Sequence, residues 1–264
     1  MTKTAGAAVD ASTIAVDSQV ALEVGGHEAV IRQTYKDSVG VMTWSVGMTN
    51  ATGHHVERYV GKPQTLQHCM DIFAWALTNY ARAVRKAFAG HKITKAQFAA
   101  ALSFHWNTGA IGRAEWVKLW KAGKIKEGRA SMVDNWSKPA EIAGRRKKEH
   151  DLFFDGKWSN DGTMTEYTRV KANMTPDWSS AKRVNVSAEL KAAFSKVMIP
   201  AMDKDPEPDA PVPVPTLSPA VPTTPTPIPA STAAERHKWP VWLWLAFFIP
   251  IALAFAGAFF WKGF

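Results

Sequence analysis

Residues 27–49 read His27-Glu-Ala-Val-Ile-Arg-Gln-Thr-Tyr-Lys-Asp-Ser-Val-Gly-Val-Met-Thr-Trp-Ser-Val-Gly-Met-Thr49. Within this stretch Asp37 follows Glu28 by nine residues, and Thr43 follows Asp37 by six. The first half is typical of the end of a helix, and the second half alternates around glycines as a short hairpin does. A carboxyl at a helix end that faces a second carboxyl on a hairpin suits two-carboxylate glycoside hydrolysis.

This stretch resembles the signature of the phage-type lysozymes, the bacteriophage endolysins that cut the sugar chains of peptidoglycan. The residues in register with that signature are Glu28, Tyr35, Asp37, Gly40, Thr43 and Gly47. Two later blocks also resemble the family in the same order, Leu102-Ser-Phe-His-Trp-Asn-Thr-Gly109 and the arginine-rich segment 144–156. The resemblance covers roughly residues 18–158 and implies a lysozyme-like fold.

The resemblance also implies roles for individual side chains. Glu28 would be the general acid, with apolar neighbours that raise its pKa. Asp37, on a polar turn, would stay ionised as base or electrostatic stabiliser, and Thr43 would orient the attacking water. By the same analogy Trp106 and Asn107 face the cleft and bind substrate, with core packing the open alternative for Trp106.

Three positions depart from the family pattern. Ala29 replaces the glycine that follows the catalytic glutamate, Ser45 replaces the first hairpin glycine, and Met48 stands where the family often has histidine. We expect the last change to affect local stability more than catalysis. His54 and His55 are candidates to replace that histidine, although exposed loop positions are the simpler interpretation.

The remaining composition excludes several function classes. The histidines do not form a metal-ligand spacing, so the zinc chemistry of peptidoglycan amidases lacks its ligands, and neither a metal nor a cofactor is expected. Residues 1–202 hold 28 Lys/Arg and 18 Asp/Glu, a net charge of +10, which suits a polyanionic partner such as peptidoglycan. Nucleic acid is not expected, because no nucleic-acid-binding motif accompanies the charge. The single cysteine, Cys69, lies on an apolar helical stripe and is interpreted as a buried thiol.

Helical periodicity dominates the segment after the hairpin. Thr65 is a predicted cap for a long helix, and Thr94 with Gln97 forms a predicted capping box for the next. Shorter helices are expected around residues 115–121, 127–135 and 140–154. A small hairpin lobe with a mainly helical lobe is an α+β arrangement.

The chain divides into five segments by composition. Residues 1–17 are a flexible N-terminus, 18–158 the catalytic domain, and 159–202 an extension that is either packed on the enzyme or a small wall-contact element. Residues 203–234 contain ten prolines and form a semi-rigid linker. Residues 239–261 carry no charge, have tryptophans near both ends, and predict a transmembrane helix.

Together these features predict a membrane-anchored lysozyme encoded by a prophage or phage-derived element. It would be bacteriolytic, with peptidoglycan as substrate and membrane lipid around its C-terminal helix. The charges that flank this helix favour the inner membrane with the body on its cytoplasmic side, until a holin-like partner opens the membrane. The alternatives are a non-catalytic, tail-anchored peptidoglycan-binding protein and a cationic membrane-disrupting protein.

Overall fold

A computed structural model of the protein describes residues 6–197. Within them the elements are β1 (Val9–Asp10), α1 (Ser18–Gly25), β2 (Ala29–Lys36), β3 (Met42–Ser45), β4 (Met48–Thr49), α2 (Leu66–Ala87), β5 (Lys92–Ile93), α3 (Lys95–Thr108), α4 (Glu115–Lys121), α5 (Ile125–Asp134), α6 (Ala143–Asp155), β6 (Thr163–Tyr167), β7 (Ala181–Asn185) and α7 (Ser187–Val197). Helices and a mixed sheet occupy different stretches of the chain, so the predicted α+β class is confirmed.

The expectation of a helix end within residues 27–36 is wrong. Helix α1 stops at Gly25, and Ala29–Lys36 form strand β2. The Gly25-Gly26 pair disfavours further helix, and the next residues are rich in β-branched and aromatic side chains that favour strands. Glu28 therefore lies in the turn between α1 and β2. Gly25 is also required by packing, since a Cβ there would lie 2.9 Å from the sulfur of Met164.

The sheet has the strand order β4-β3-β2-β6-β7. Strand β2 pairs antiparallel with β3 and parallel with β6, which comes from the C-terminal extension. Between the pairs Ile31–Ser45 and Tyr35–Thr43, four steps along β2 oppose two along β3. An irregularity of this kind bends the strand, so β2 is curved between its two ends.

The helical lobe agrees closely with the sequence pattern. The Thr65 side chain accepts the His68 N–H at the start of α2, and the capping box of Thr94 and Gln97 opens α3. Helix α4 has its expected bounds, whereas α5 and α6 begin at Ile125 and Ala143.

The expected stripe of α2 is fully buried at Met70, Phe73, Ala74, Leu77, Ala81, Val84 and Phe88. Cys69 is buried as predicted, and burial raises the pKa of its thiol to about 11.

Both ends of the described chain pack on this body. Val9 pairs with Ile93, and Ile14 and Val16 are buried, although residues 1–17 are flexible by sequence. At the other end β6 and β7 enlarge the sheet, and α7 packs along α2, where Lys196 pairs with Asp71 at 2.9 Å. Of the two alternatives for the extension, the structure shows packing on the body.

The apolar segment 239–261 and the proline-rich segment 203–234 lie outside the described residues. Within residues 6–197, none of the helices has both the length and the apolar character needed to span a bilayer.

Candidate active site

Glu28 forms an ion pair with an arginine from the helical lobe. Its Oε1 accepts from Nη1 of Arg145 at 2.5 Å, and its side chain is 24% exposed. The expected apolar surroundings of Glu28 are therefore wrong, because a guanidinium is its neighbour. Helix α6 carries this arginine, so the ion pair joins the turn after α1 to the helical lobe.

Arg145 is itself held by a buried network. Its Nε donates to Oε1 of Glu149 at 2.9 Å, and its Nη2 donates to the Ser103 carbonyl at 3.1 Å. Glu149 is 1% exposed and also binds the fully buried Arg146. Burial works against the charge of Arg145, but the carboxylates of Glu28 and Glu149 outweigh it and raise its pKa above the ordinary value. Arg145 is thus a fixed cation beside Glu28.

Asp37 closes the turn between β2 and β3. Its Oδ1 accepts two backbone N–H groups, from Val39 at 3.0 Å and from Val41 at 2.9 Å. The Asp37 N–H in turn donates to the Val41 carbonyl at 3.0 Å. Among the described residues Oδ2 has no protein partner, so one carboxylate oxygen is fixed and the other remains available for a ligand.

Tyr35 and Thr43 lie on the paired strands β2 and β3 next to Asp37. They are opposite each other in the β2–β3 register, and Thr43 is buried, with its hydroxyl donating to the Val41 carbonyl at 3.0 Å. Burial and then the negative charges of Asp37 and Glu28 raise the pKa of Tyr35.

His27 precedes Glu28 and is uncharged at neutral pH. Burial, followed by the positive charges of Arg145 and Lys148, lowers the pKa of His27 to about 2.

One cluster in the described part of the chain has metal-ligand geometry, but its carboxylates are occupied. It consists of His150, Asp151 and Asp155 on α6. Asp151 pairs with Lys147 at 2.8 Å, and Asp155 pairs with Arg129 at 2.5 Å. Internal ion pairs explain these acidic groups without an ion.

The two predicted substrate residues have different environments. Trp106 is half-buried and packs edge-on against Phe73, with ring centroids 5.3 Å apart, and also contacts Tyr80. Asn107 accepts from Nη2 of Arg146 at 2.8 Å. Trp106 therefore combines core contacts with partial exposure, and Asn107 joins the arginine network behind Glu28.

The departures in the hairpin have a structural basis. Ser45 has a φ of +56°, a conformation that favours glycine, and its buried hydroxyl donates to the Cys69 carbonyl at 3.2 Å. Met48 is fully buried.

Of the two nearby histidines, His55 is exposed, but His54 stacks on Trp44 with centroids 5.2 Å apart. His54 is thus part of an aromatic cluster and not a free loop side chain.

The C-terminal extension contacts both ends of β2. Beside Glu28, β6 pairs with β2 at Ala29, opposite Thr165. Beside Asp37, the Lys36 N–H donates to the carbonyl of Met174 at 2.7 Å. The extension is thus attached to the two strand ends that carry the candidate catalytic carboxylates.

Sequence reasoning missed Arg145, Glu149 and Ser103 as parts of the site. The i,i+4 spacing of Arg145 and Glu149 is a signal for an ion pair on one helix face. Nothing in that spacing indicates that Glu28, far away in sequence, shares the arginine. The contribution of residues 163–185 likewise carries no recognisable motif.

A comparison with curated proteins finds none that matches the chain. The structure is similar to an endolysin from Escherichia coli O157:H7 phage FAHEc1, with 20% identity and a TM-score of 0.49 over 56% of this chain and 98% of that one. It is also similar to the muramidase domain of SpmX from Asticaccaulis excentricus, with 22% identity and a TM-score of 0.45 over 53% and 96%. Residues 25–149 match the model of the phage lysozyme family.

Proposed function

We propose that this protein is a muramidase that hydrolyses the β-1,4 bond between N-acetylmuramic acid and N-acetylglucosamine in peptidoglycan. The family match of residues 25–149 supports a peptidoglycan-lysing glycosidase. The observation that carries the proposal is the placement of two carboxylates at the two ends of the bent strand β2, Glu28 against Arg145 and Asp37 with a free Oδ2 among the described residues.

Glu28 is the proposed general acid. It donates its proton to the glycosidic oxygen as the bond between that oxygen and the sugar carbon breaks. The carboxylate that remains is stabilised by the Arg145 guanidinium already in contact with it. Such charge-assisted hydrogen bonds strengthen as negative charge develops, which favours the transition state over the ground state.

Asp37 and Thr43 are proposed to act on the opposite side of the sugar. The free Oδ2 of Asp37 faces no competing protein partner among residues 6–197, so it is available to stabilise positive charge on the sugar carbon or to take a proton from water. The Thr43 proton is already donated to the Val41 carbonyl. Its oxygen therefore acts as an acceptor that orients the attacking water.

The test compares the full chain with Glu28→Gln on outer-membrane-permeabilised Gram-negative cells and on purified sacculi. The matched control is Glu127→Gln, which makes the same change at an exposed glutamate on α5. We expect clearing and new reducing sugar ends from the parent and the control, and neither from Glu28→Gln.

The other outcomes identify the alternatives. Equal clearing by all three proteins would assign lysis to charge and membrane disruption. Binding to sacculi without clearing by the parent would favour the non-catalytic peptidoglycan binder.

We also propose that residues 239–261 anchor the enzyme in the inner membrane and that it serves phage-type host lysis. Their uncharged composition and terminal tryptophans support a bilayer span. The body would remain on the cytoplasmic side until a holin-like partner opens the membrane. Protease treatment of intact spheroplasts tests this arrangement, since digestion of the body before permeabilisation would contradict it.

A further inference from the structure

A cavity of about 710 Å³ lies between the C-terminal half of α2, the end of α3 and helix α4. Neither Glu28 nor Asp37 lines it. It includes His105, which is two positions from both Ser103 and Asn107 on α3 and so points to a different side of that helix. The cavity is therefore distinct from the candidate active site.

The charged side chains that line this cavity are all cationic. Arg82 and Lys86 come from one face of α2, and Lys118 and Lys121 come from α4, with no Asp or Glu among the lining residues. Among residues 6–197 neither Arg82 nor Lys86 forms an ion pair. Lys118 pairs with Glu115 at 3.3 Å, and Lys121 donates to the Ala87 carbonyl at 3.0 Å. The two helices still present net positive charge to the same space, which is complementary to an anion.

The inner surface of the cavity is largely apolar, although Asn79, Tyr80 and His105 also line it. Its walls include Ala83, Ile111, Ala114 and Val117. A volume of this size is within the range of small-molecule sites, roughly 300–1,000 Å³. An anion alone would fill the cationic edge and leave the apolar walls uncovered, so the complementary ligand also has an apolar part.

His105 is the most buried polar side chain of these walls. It is 7% exposed, and its Nδ1 has no hydrogen-bond partner among the described residues. That nitrogen is itself buried, so a ligand in the cavity contacts the ring and not Nδ1. Burial lowers the pKa of His105 to about 4, so the ring is neutral at pH 7 and can pack against an apolar group without a cost in charge.

We propose that this cavity binds the phosphate ester of an anionic lipid, with the phosphate among Arg82, Lys86, Lys118 and Lys121 and the start of the hydrocarbon chain against the apolar walls. The neutral His105 ring contacts the hydrocarbon at the inner end. An acidic peptide fits less well, because its carboxylates match the cations but its backbone would bring unpaired polar groups against apolar walls. The site is independent of the proposed muramidase activity.

Hexyl phosphate is the probe, with inorganic phosphate and hexanol as its charged and apolar halves. The full chain, carried in phosphatidylcholine nanodiscs, is titrated with each while the ring signals of ¹³C-labelled histidine are recorded. We expect saturable binding of hexyl phosphate, at least about tenfold tighter than either half, with a shift of the His105 signal. Arg82→Gln/Lys86→Gln should weaken it at least about tenfold, and nanodiscs that also contain phosphatidic acid should compete with it.

The matched control is Lys171→Gln/Lys191→Gln, which removes the same charge from exposed positions outside the cavity. Equal weakening by this control would overturn the proposal, since the general cationic surface would then explain the binding. An unshifted His105 signal, equal affinity for inorganic phosphate, no competition by phosphatidic acid, or tighter binding of a tetraglutamate peptide would each overturn it as well.

Discussion

The backbone N–H of Lys36 donates to the carbonyl of Met174 at 2.7 Å, which joins the strand end next to Asp37 to the tip of the loop between β6 and β7. Met174 has a φ of +67°, an uncommon conformation for a residue with a side chain. The contact is thus made by a backbone group held in an unfavourable geometry. The loop belongs to the extension, outside the family match of residues 25–149.

Replacement of residues 171–175 by Asn-Gly should lower kcat by about tenfold and change KM less. The shorter turn can still connect the two strands, but it removes the Met174 carbonyl that holds Lys36. Asp37 would then be less firmly placed relative to Glu28, and a displacement of about 1 Å can cost up to about a hundredfold in rate. Kinetics on soluble peptidoglycan fragments measure the two constants.

Amide hydrogen exchange gives a second measurement that does not require activity. Exchange at Val39 and Val41, whose N–H groups bind Asp37, should become faster in the shortened variant. Asn173→Ala is the control, because Asn173 caps the loop through Thr175 without contacting Lys36. Unchanged kcat and unchanged exchange in the shortened variant would refute the positioning role of the loop.

Arg145→Gln should reduce both activity and stability. It removes the cation that contacts Glu28 and leaves the buried Glu149 with Arg146 as its remaining ionic partner. Loss of one member of a buried ion pair typically costs about 3–5 kcal/mol in unfolding free energy. We expect kcat to fall at least about tenfold because one oxyanion-stabilising donor is worth about 10²–10³ in rate.

Two further variants separate the catalytic effect of Arg145 from the structural one. Arg145→Lys restores charge but not the three-way donation to Glu28, Glu149 and Ser103, so partial recovery is expected. Arg183→Gln, on the exposed strand β7, controls for loss of an arginine elsewhere. If Arg145→Gln unfolded at a lower urea concentration but kept the parental kcat, Arg145 would be structural alone.

Ser45 should tolerate glycine better than alanine, the reverse of the usual preference in folded segments. Alanine keeps the strained φ of +56° that serine already has and loses the hydrogen bond to the Cys69 carbonyl, a loss of about 1 kcal/mol. Glycine loses the same bond but relieves the strain, so its net change should be below about 1 kcal/mol. Urea unfolding of the two variants decides this, and an alanine variant at least as stable as the glycine variant would contradict the strain argument.

The sequence was sufficient for features that depend on local pattern. The stripe of α2 and the caps at Thr65 and Thr94 follow from helical spacing and from the unpaired N–H groups of a first turn. The prediction of a helix end within residues 27–36 failed, because α1 stops at Gly25 and the β-branched and aromatic residues that follow form strand β2. Glu28 lies just past the helix, with its N–H donating to the Gly25 carbonyl at 2.9 Å. The arginine network and the extension depend on contacts between distant segments, such as Glu28 with Arg145, which no local period encodes.

Stability should decrease as the pH falls from 6.5 to 4.5, partly through His105. Burial lowers its folded pKa from 6.5 to about 4, so the unfolded chain gains a proton in this range that the folded chain does not. Protonation of His105 therefore has no effect on the free energy of unfolding above pH 6.5. As the pH falls towards 4 it lowers that free energy, by about 2 kcal/mol at pH 4.5. Urea midpoints across the range should fall less steeply in His105→Gln than in the parent. His55→Gln, at an exposed histidine, should keep the parental slope, and the same slope in all three proteins would show that His105 is not responsible.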